Sequence, residues 1–494
     1  MSMIQVSHLT FAYDGSYDFI FEDVSFQMDT SWRLGLTGRN GKGKTTFLKL
    51  LCGGYDYQGT ISASVQFDYF PFPVEYPEQL TLHIAEEIYP QCEQWQLQKE
   101  LSLLELEDEV LYRPFDTLSH GEQTKVLLAI LFLRENHFLL IDEPTNHLDQ
   151  HAREVVSNYL RRKSGFILVS HDRMFLDHCV DHILSINRSD IQLQQGNFSA
   201  WFQNKQYQDQ FELAENERLQ KDIRRLAEAA ARTAKWSDAV EKTKKGTRNS
   251  GLRPDRGYLG HKAEKMMRRS KAAEERREKA LEEKESLLKN IEKQEELKIT
   301  PLRHHQRELV KAAELSLFYG EKQVCSGVSF SLSQGDRVRL QGRNGCGKSS
   351  ILKLLLGQEI SFSGELYLAS GLKISYVSQD TSFLKGGLMG YADQTGIDKT
   401  LFLAILRKLD FTRLQFEKDM GQFSQGQKKK VLLARSLCEQ AHLYIWDEPF
   451  NFIDIFSRMQ LEELILNSQP TMIFVEHDRA FSEKTATKTV TVGS

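Results

Sequence analysis

The stretch TGRNGKGKTTFLKLL around Gly38 returns as QGRNGCGKSSILKLL around Gly342. Three further segments recur in the same order. LSHGEQTKVLLA from Leu118 returns as FSQGQKKKVLLA from Phe423, LLIDEPTNHLD ending at Asp149 as YIWDEPFNFID ending at Asp454, and LVSHDRMF around His171 as FVEHDRAF around His477. Each pair is separated by 304 to 306 positions, so the chain is a duplication and must build two like domains. Its 494 residues suffice for two or three cores. Within each copy, short β-rich runs alternate with helical stretches. Trp32–Thr37 and Arg337–Gln341 lead into glycine loops, Phe138–Asp142 and Leu443–Asp447 end in acids, and Phe166–Ser170 and Met472–Glu476 precede the histidines. This alternation predicts an α/β fold with a mainly parallel sheet covered by helices.

Gly38, Arg39, Asn40, Gly41, Lys42, Gly43, Lys44 and Thr45 match the P-loop pattern, followed by Thr46. Gly342, Arg343, Asn344, Gly345, Cys346, Gly347, Lys348 and Ser349 match it again, followed by Ser350. Glycines let backbone N–H groups turn inward on phosphates, and the helix N-terminus adds positive potential. Lys44 and Lys348 then reach the β- and γ-phosphates, while Thr45 and Ser349 ligate Mg²⁺. Asp142 and Asp447 end apolar strands, where a carboxylate can hold the metal's water shell. Glu143 and Glu448 follow directly and are candidates to polarise the attacking water. His171 and His477 stand 28 and 29 residues past those glutamates. A lone histidine after a strand is more often structural; the matched spacing favours contact with the γ-phosphate.

These residues carry a resemblance. LSHGEQ and FSQGQ look like the signature motif of ATP-binding cassette proteins, and the other segments look like Walker A, Walker B, D-loop and H-loop. The resemblance implies an ATPase that hydrolyses ATP with Mg²⁺, each ATP lying between the Walker A loop of one cassette and the signature of the other. Site one then pairs Lys44 and Glu143 with Ser424, Gly426 and Gln427. Site two pairs Lys348 and Glu448 with Ser119, Gly121 and Glu122. Tyr13 and Tyr319 sit where the family stacks a ring on adenine, although either could be plain packing. The second cassette has Gln379 in YVSQD, where the family's glutamine meets the metal. The first reads YFPFPV, with Phe72 in its place, and this puts equal hydrolysis at the two sites in doubt.

Between about 205 and 300 the composition shifts to Glu, Lys, Arg, Ala and Gln. Helix formers dominate from Lys205 to about Val240 and from His261 to about Glu296, with glycines and Pro254 between them, which predicts a helical hairpin. From Glu241 to Ser270 ten Lys/Arg face three acids, a net of +7 in a chain whose total is −4. Lys242, Lys244, Lys245, Arg248, Arg253, Arg256 and Tyr258 at this tip suit phosphate contact with base stacking. A charge run can also be only a solvated face, but the asymmetry against an acidic body favours RNA.

Two cassettes around such a linker resemble the ABC-F subfamily, translation factors that enter the ribosomal exit site. The tip GLRPDRGYLGHKAEKMMRRS looks most like the Lsa-type resistance members. This resemblance implies a ribosome partner (large-subunit rRNA and peptidyl tRNA), a monomer with intramolecular cassette pairing, and displacement of lincosamide, pleuromutilin and streptogramin A drugs. A general translation factor for stalled ribosomes and the ATPase of an export pump are the alternatives. The domains expected are a first cassette at 1–204, a helical linker at 205–305 and a second cassette at 306–494. No basic start followed by an apolar run suggests a leader, apolar runs fall short of the ~18 residues of a membrane helix, and six scattered cysteines form no CxxC pair. The 17 residues after His477 leave no room for a long extension. A cytoplasmic protein without DNA or membrane partners is therefore expected.

Overall fold

The computed structural model describes residues 2–13, 19–146, 148–186, 191–246 and 297–493, with the helix that ends at 246 given beyond residue 228 by its backbone. In the first copy the strands are β1 (Met3–Phe11), β2 (Phe21–Asp29), β3 (Arg33–Thr37), β4 (Gln58–Ser62), β5 (Gln66–Phe70), β6 (His137–Asp142), β7 (Phe166–Val169), β8 (His182–Ile186) and β9 (Ile191–Gln195). In the second they are β10 (Glu308–Tyr319), β11 (Lys322–Ser333), β12 (Arg337–Gln341), β13 (Ser361–Leu368), β14 (Ile374–Val377), β15 (Leu443–Asp447), β16 (Met472–Val475) and β17 (Lys488–Thr491). The six motif-bearing strands expected from sequence are all present, with ends shifted by at most one residue. Because helices cover both faces of such a sheet, β6, β7, β15 and β16 are almost wholly buried runs and not alternating ones.

The main sheets run β5-β6-β7-β3-β8-β9 and β14-β15-β16-β12-β17. Every pairing in them is parallel except β8 with β9. The P-loop strand thus lies beside the strand that ends before the histidine, and the acid-ending strand lies next in order. All three motif loops therefore leave the carboxyl edge together, where parallel α/β sheets bind ligands. Each copy also has an antiparallel sheet, β2-β1-β4 or β11-β10-β13, which the motif reading did not anticipate. Helix Lys44–Leu51 joins the two sheets of the first copy, with Phe47 and Leu48 in one apolar cluster with Ile4, Val6, Leu36 and Leu140.

Register decides one alignment that sequence left to resemblance. Tyr69 and Phe70 stand opposite Leu140 and Ile141, just as Tyr376 and Val377 stand opposite Ile445 and Trp446. Two residues farther on, Phe72 and Gln379 therefore leave their sheets at the same place.

By contacts, Met1–Trp201 and Gln294–Ser494 form one compact unit and Phe202–Lys293 another. Both copies belong to the first unit and touch directly. Asn40 Nδ2 donates to Phe452 O at 3.0 Å, Arg39 pairs with Asp410, and the largely buried Arg173 pairs with Glu462. Helix Phe198–Gly246 has 49 residues, roughly 70 Å at 1.5 Å per residue. It starts ahead of the expected Lys205 because Phe198 and Trp201 are buried anchors, and the Trp201 ring meets the edge of Phe456 at 6.4 Å. The expected second helix and the glycine-rich turn lie outside the described residues. Among the described residues no helix is long and apolar enough to cross a membrane.

Candidate functional site

The helices Lys44–Leu51 and Lys348–Leu355 start directly after Gly43 and Gly347, whose φ angles are 94° and 92°. A Cβ at Gly43 would come within 2.5 Å of Ile20, and one at Gly347 within 3.1 Å of Val324, so both backbone and space require glycine. Lys44 Nζ donates to Gly38 O at 2.8 Å and to Arg39 O and Asn40 Oδ1 at 3.3 Å. Lys348 Nζ donates to Gly342 O at 2.8 Å and Arg343 O at 2.7 Å. Each ammonium is folded into its loop, beside the open N–H groups of the helix start, an arrangement that suits phosphate oxygens.

Hydroxyls and carboxylates meet at the foot of each loop. Thr45 Oγ1 donates to Asp142 Oδ2 at 2.8 Å, and Ser349 Oγ donates to Asp447 Oδ1 at 3.1 Å. Asp447 Oδ2 is buried with no hydrogen-bond partner, and burial pushes this carboxyl up to about 6. An orphaned carboxylate oxygen beside a hydroxyl is the donor set a hard cation such as Mg²⁺ takes, so these residues fit that ion.

Glu143 and Glu448 carry φ of 52° and 45°, a left-handed conformation uncommon for glutamate and concentrated at functional positions. Their surroundings differ. Glu448 Oε2 accepts from Gln379 Nε2 at 2.8 Å and Asn451 Nδ2 at 2.7 Å, with His477 Nε2 3.5 Å from Oε1. Burial alone would raise this carboxyl, but its hydrogen bond and charge interaction with His477, together with Lys429, bring it below the ordinary range. Glu143 Oε1 lies 3.2 Å from His171 Nε2, closer than the 3.5 Å of the corresponding pair in the second cassette, but without hydrogen-bond alignment. Burial, with the neighbouring Asp142 charge, pushes Glu143 up to about 8. Burial, with Lys44 next, lowers the His171 imidazole well below its usual value. In place of a glutamine contact, Tyr69 donates its hydroxyl to Asp142 Oδ2 at 2.9 Å.

The signature residues are helix caps in both copies. Ser119 accepts from Glu122 N while Glu122 accepts from Ser119 N, and Ser424 and Gln427 repeat the reciprocal pair. At Gly426 a Cβ would lie 3.4 Å from Asn40 Nδ2, so this glycine faces the Walker A loop of the other copy. Tyr13 and Tyr319 are half-exposed, and their hydroxyls reach Thr46 at 2.7 Å and Ser350 at 3.3 Å. Phe11 and Tyr55 form T-shaped pairs with the Tyr13 ring, at centroid distances of 5.2 and 5.7 Å.

Residues 21–146 and 325–451 match the ABC transporter family. The chain belongs to that family. It is accordingly a nucleotide-binding ATPase with two cassettes. It is 27% identical over 491 residues to the ribosome protection protein VmlR of Bacillus subtilis (strain 168), covering 98% of this chain and 86% of that protein. It is 26% identical to the ATP-binding protein Uup of Buchnera aphidicola subsp. Acyrthosiphon pisum, covering 99% and 80%. The ABC-F resemblance is borne out by such relatives. Among solved structures it is similar to the archaeal ribosome recycling factor aABCE1 in its complex with stalk protein aP1, at 18% identity and TM-score 0.63, over 99% of this chain and 87% of the other. RNase-L Inhibitor matches at 18% identity and TM-score 0.64, over 99% and 88%. At such identity the likeness is one of fold.

Several site residues escaped the motif reading. Tyr69 and Asn451 lie at fixed spacings from motif residues, a signal the cassettes' alignment could have yielded. Lys429, whose Nζ donates to Ser378 O at 2.8 Å and Asp447 O at 3.3 Å, links the loop before Gln379 to the acid strand. Asp410 has no motif at all. Of the expected RNA-binding residues, Arg248, Arg253, Arg256 and Tyr258 lie outside the described residues. Lys242, Lys244 and Lys245 fall on the last turns of the long helix, where the backbone alone is described.

Proposed function

We propose that this ATPase is a ribosome protection protein. It binds the ribosomal exit site and uses its interdomain linker to dislodge lincosamide, pleuromutilin and streptogramin A antibiotics from the peptidyl-transferase centre, and ATP hydrolysis releases it. The observation that carries this reading is a long helix following the first of two ATPase cassettes in a chain that is similar over 98% of its length to a ribosome protection protein. The proposed boundaries are 1–204 and 306–494 for the cassettes and 205–305 for the linker. Its tip, with Lys242, Lys244, Lys245, Arg248, Arg253, Arg256 and Tyr258, takes large-subunit rRNA and peptidyl tRNA in the cytoplasm.

The nucleotide roles follow the local chemistry. Lys44 and Lys348, with the loops Gly38–Thr46 and Gly342–Ser350, hold phosphates, and Tyr13 and Tyr319 stack on adenine. Ser119, Gly121 and Glu122 close site two, and Ser424, Gly426 and Gln427 close site one. Thr45, Asp142, Ser349, Asp447 and Gln379 are the residues that would hold Mg²⁺, which when bound neutralises developing phosphate charge. Glu448 accepts the proton of the attacking water, while Gln379, Asn451 and His477 fix its direction. Glu143 and His171 have the corresponding places at site one.

ATP shifts the chain to a closed form only through its greater affinity for that form, so ADP should not substitute. Changing both Glu143 and Glu448 to Gln should retain ATP binding, stop hydrolysis and trap the protein on ribosomes. Pelleting through a cushion with ATP, ADP or no nucleotide tests this. A double variant that stays in the supernatant under all three conditions contradicts the ribosome reading.

A further inference from the structure

Arg339 is an unusual residue for the middle of a buried parallel strand. It lies on β12, third before Gly342, and is 6% exposed. In the first cassette the same place, third before Gly38, is Gly35. The registers agree: Gly35 stands between Leu168 and Ile183, and Arg339 between Phe474 and Thr489. A Cβ at Gly35 would already lie 2.9 Å from Ile183 Cδ1, so the first cassette is filled here by its neighbour's side chain. The second cassette has exchanged that Gly–Ile pair for Arg–Thr, which opens room and installs a cation.

Burial of an arginine is costly unless its donors are used. Arg339 Nη2 donates to Glu476 O at 3.2 Å and, across the cassettes, to Gln150 Oε1 at 3.3 Å. Its Nε is buried with no partner. Gln341 Nε2 donates to the same Gln150 oxygen at 3.2 Å, so that neutral acceptor is shared. These groups border a cleft of about 260 Å³ between the cassettes, onto which Arg343, Lys348 and His477 also open. The nearby acids are engaged. Glu476 accepts from the backbone N–H groups of His477, Asp478 and Phe450, Asp149 caps Ala152, and Glu154 lies 3.4 Å from Arg479.

A cleft of this size next to the P-loop lysine, bordered by a buried guanidinium short of an acceptor, has the chemistry of a tetrahedral oxyanion site. We propose that this cleft is an exit chamber for the inorganic phosphate cleaved at site two, with Arg339 as its anion-binding residue. It rests on the reading that site two hydrolyses ATP. The first cassette, with Gly35 and Ile183, has no counterpart, so the chamber serves one site.

The test uses the full chain saturated with ADP and Mg²⁺, titrated with inorganic phosphate and followed by calorimetry. One phosphate should bind per chain. Arg339→Gln should weaken it about tenfold, the effect of losing a charged hydrogen bond. Gln150→Glu, at the half-buried first turn of helix Gln150–Arg161, where the helix N-terminus favours an acid, should weaken it comparably by giving Arg339 a competing carboxylate. This second variant keeps the test decisive if the first misfolds. A phosphate sensor, read against acid-quenched hydrolysis, should show release lagging cleavage in the wild type and the lag lost in Gln150→Glu. No phosphate binding, or equal affinity in wild type and Gln150→Glu, overturns the chamber. Phosphate binding without cleavage at site two would leave the anion site and overturn its role in product exit.

Discussion

Glu448 sits in a frame of Gln379, Asn451 and His477, whereas Glu143 has His171 beside it but a phenylalanine where the glutamine should be. The two sites otherwise share loop, lysine, hydroxyl and strand acid. The difference therefore isolates what a catalytic carboxylate requires beyond its position. At site two, hydrogen bonds favour the charged form that accepts a proton from water. At site one, burial beside Asp142 favours the neutral form, which cannot. We propose on this ground that site one is the slow site, suited to hold ATP, and site two the fast one.

The largest effect that would break this comparison lies in the glutamates. Glu448→Gln should lower steady-state turnover by roughly 10²–10⁴-fold, the usual worth of a general base, and Glu143→Gln by only a few-fold. Equal losses would make the sites equivalent. A smaller, sharper effect is the pH profile. With Glu143 at about 8, its ionised fraction rises from ~9% at pH 7 to ~91% at pH 9, so kcat/KM of the Glu448→Gln protein should climb about tenfold over that range. The Glu143→Gln protein should stay flat there, since Glu448 is ionised throughout. A rise of similar size in both would remove the electrostatic basis of the difference. The smallest effect concerns the glutamine itself. Phe72→Gln in the Glu448→Gln background should raise turnover a few-fold by restoring an amide near Glu143. No change would assign the slowness to burial alone.

The features readable from sequence were those carried by contiguous residues. The P-loops, strand acids, histidines and their repeat are local strings, and the strands under them are short apolar runs with little ambiguity. The cap role of Ser119 and Ser424 was also readable, from Ser-x-x-Glu and Ser-x-x-Gln, but the signature resemblance overshadowed it. Tyr69 reaches Asp142 only through sheet register, and Arg39 reaches Asp410, or Arg339 reaches Gln150, only because two cassettes face each other. Pairs separated by 73 to 371 residues give no periodicity to detect. The early start of the long helix escaped for a related reason, since Phe198 and Trp201 are modest helix formers held there by tertiary burial. The antiparallel sheets β2-β1-β4 and β11-β10-β13 carry no motif and join strands from both sides of each P-loop, so no contiguous string announces them.

The measurement that bears most directly on unequal sites is a rapid quench in which wild-type protein loaded with two labelled ATP per chain is started at pH 7 with Mg²⁺ and an excess of unlabelled ATP. The account predicts a fast burst of one phosphate per chain, from site two, then a second equivalent formed at a much slower rate. Two equivalents appearing in one phase would contradict it.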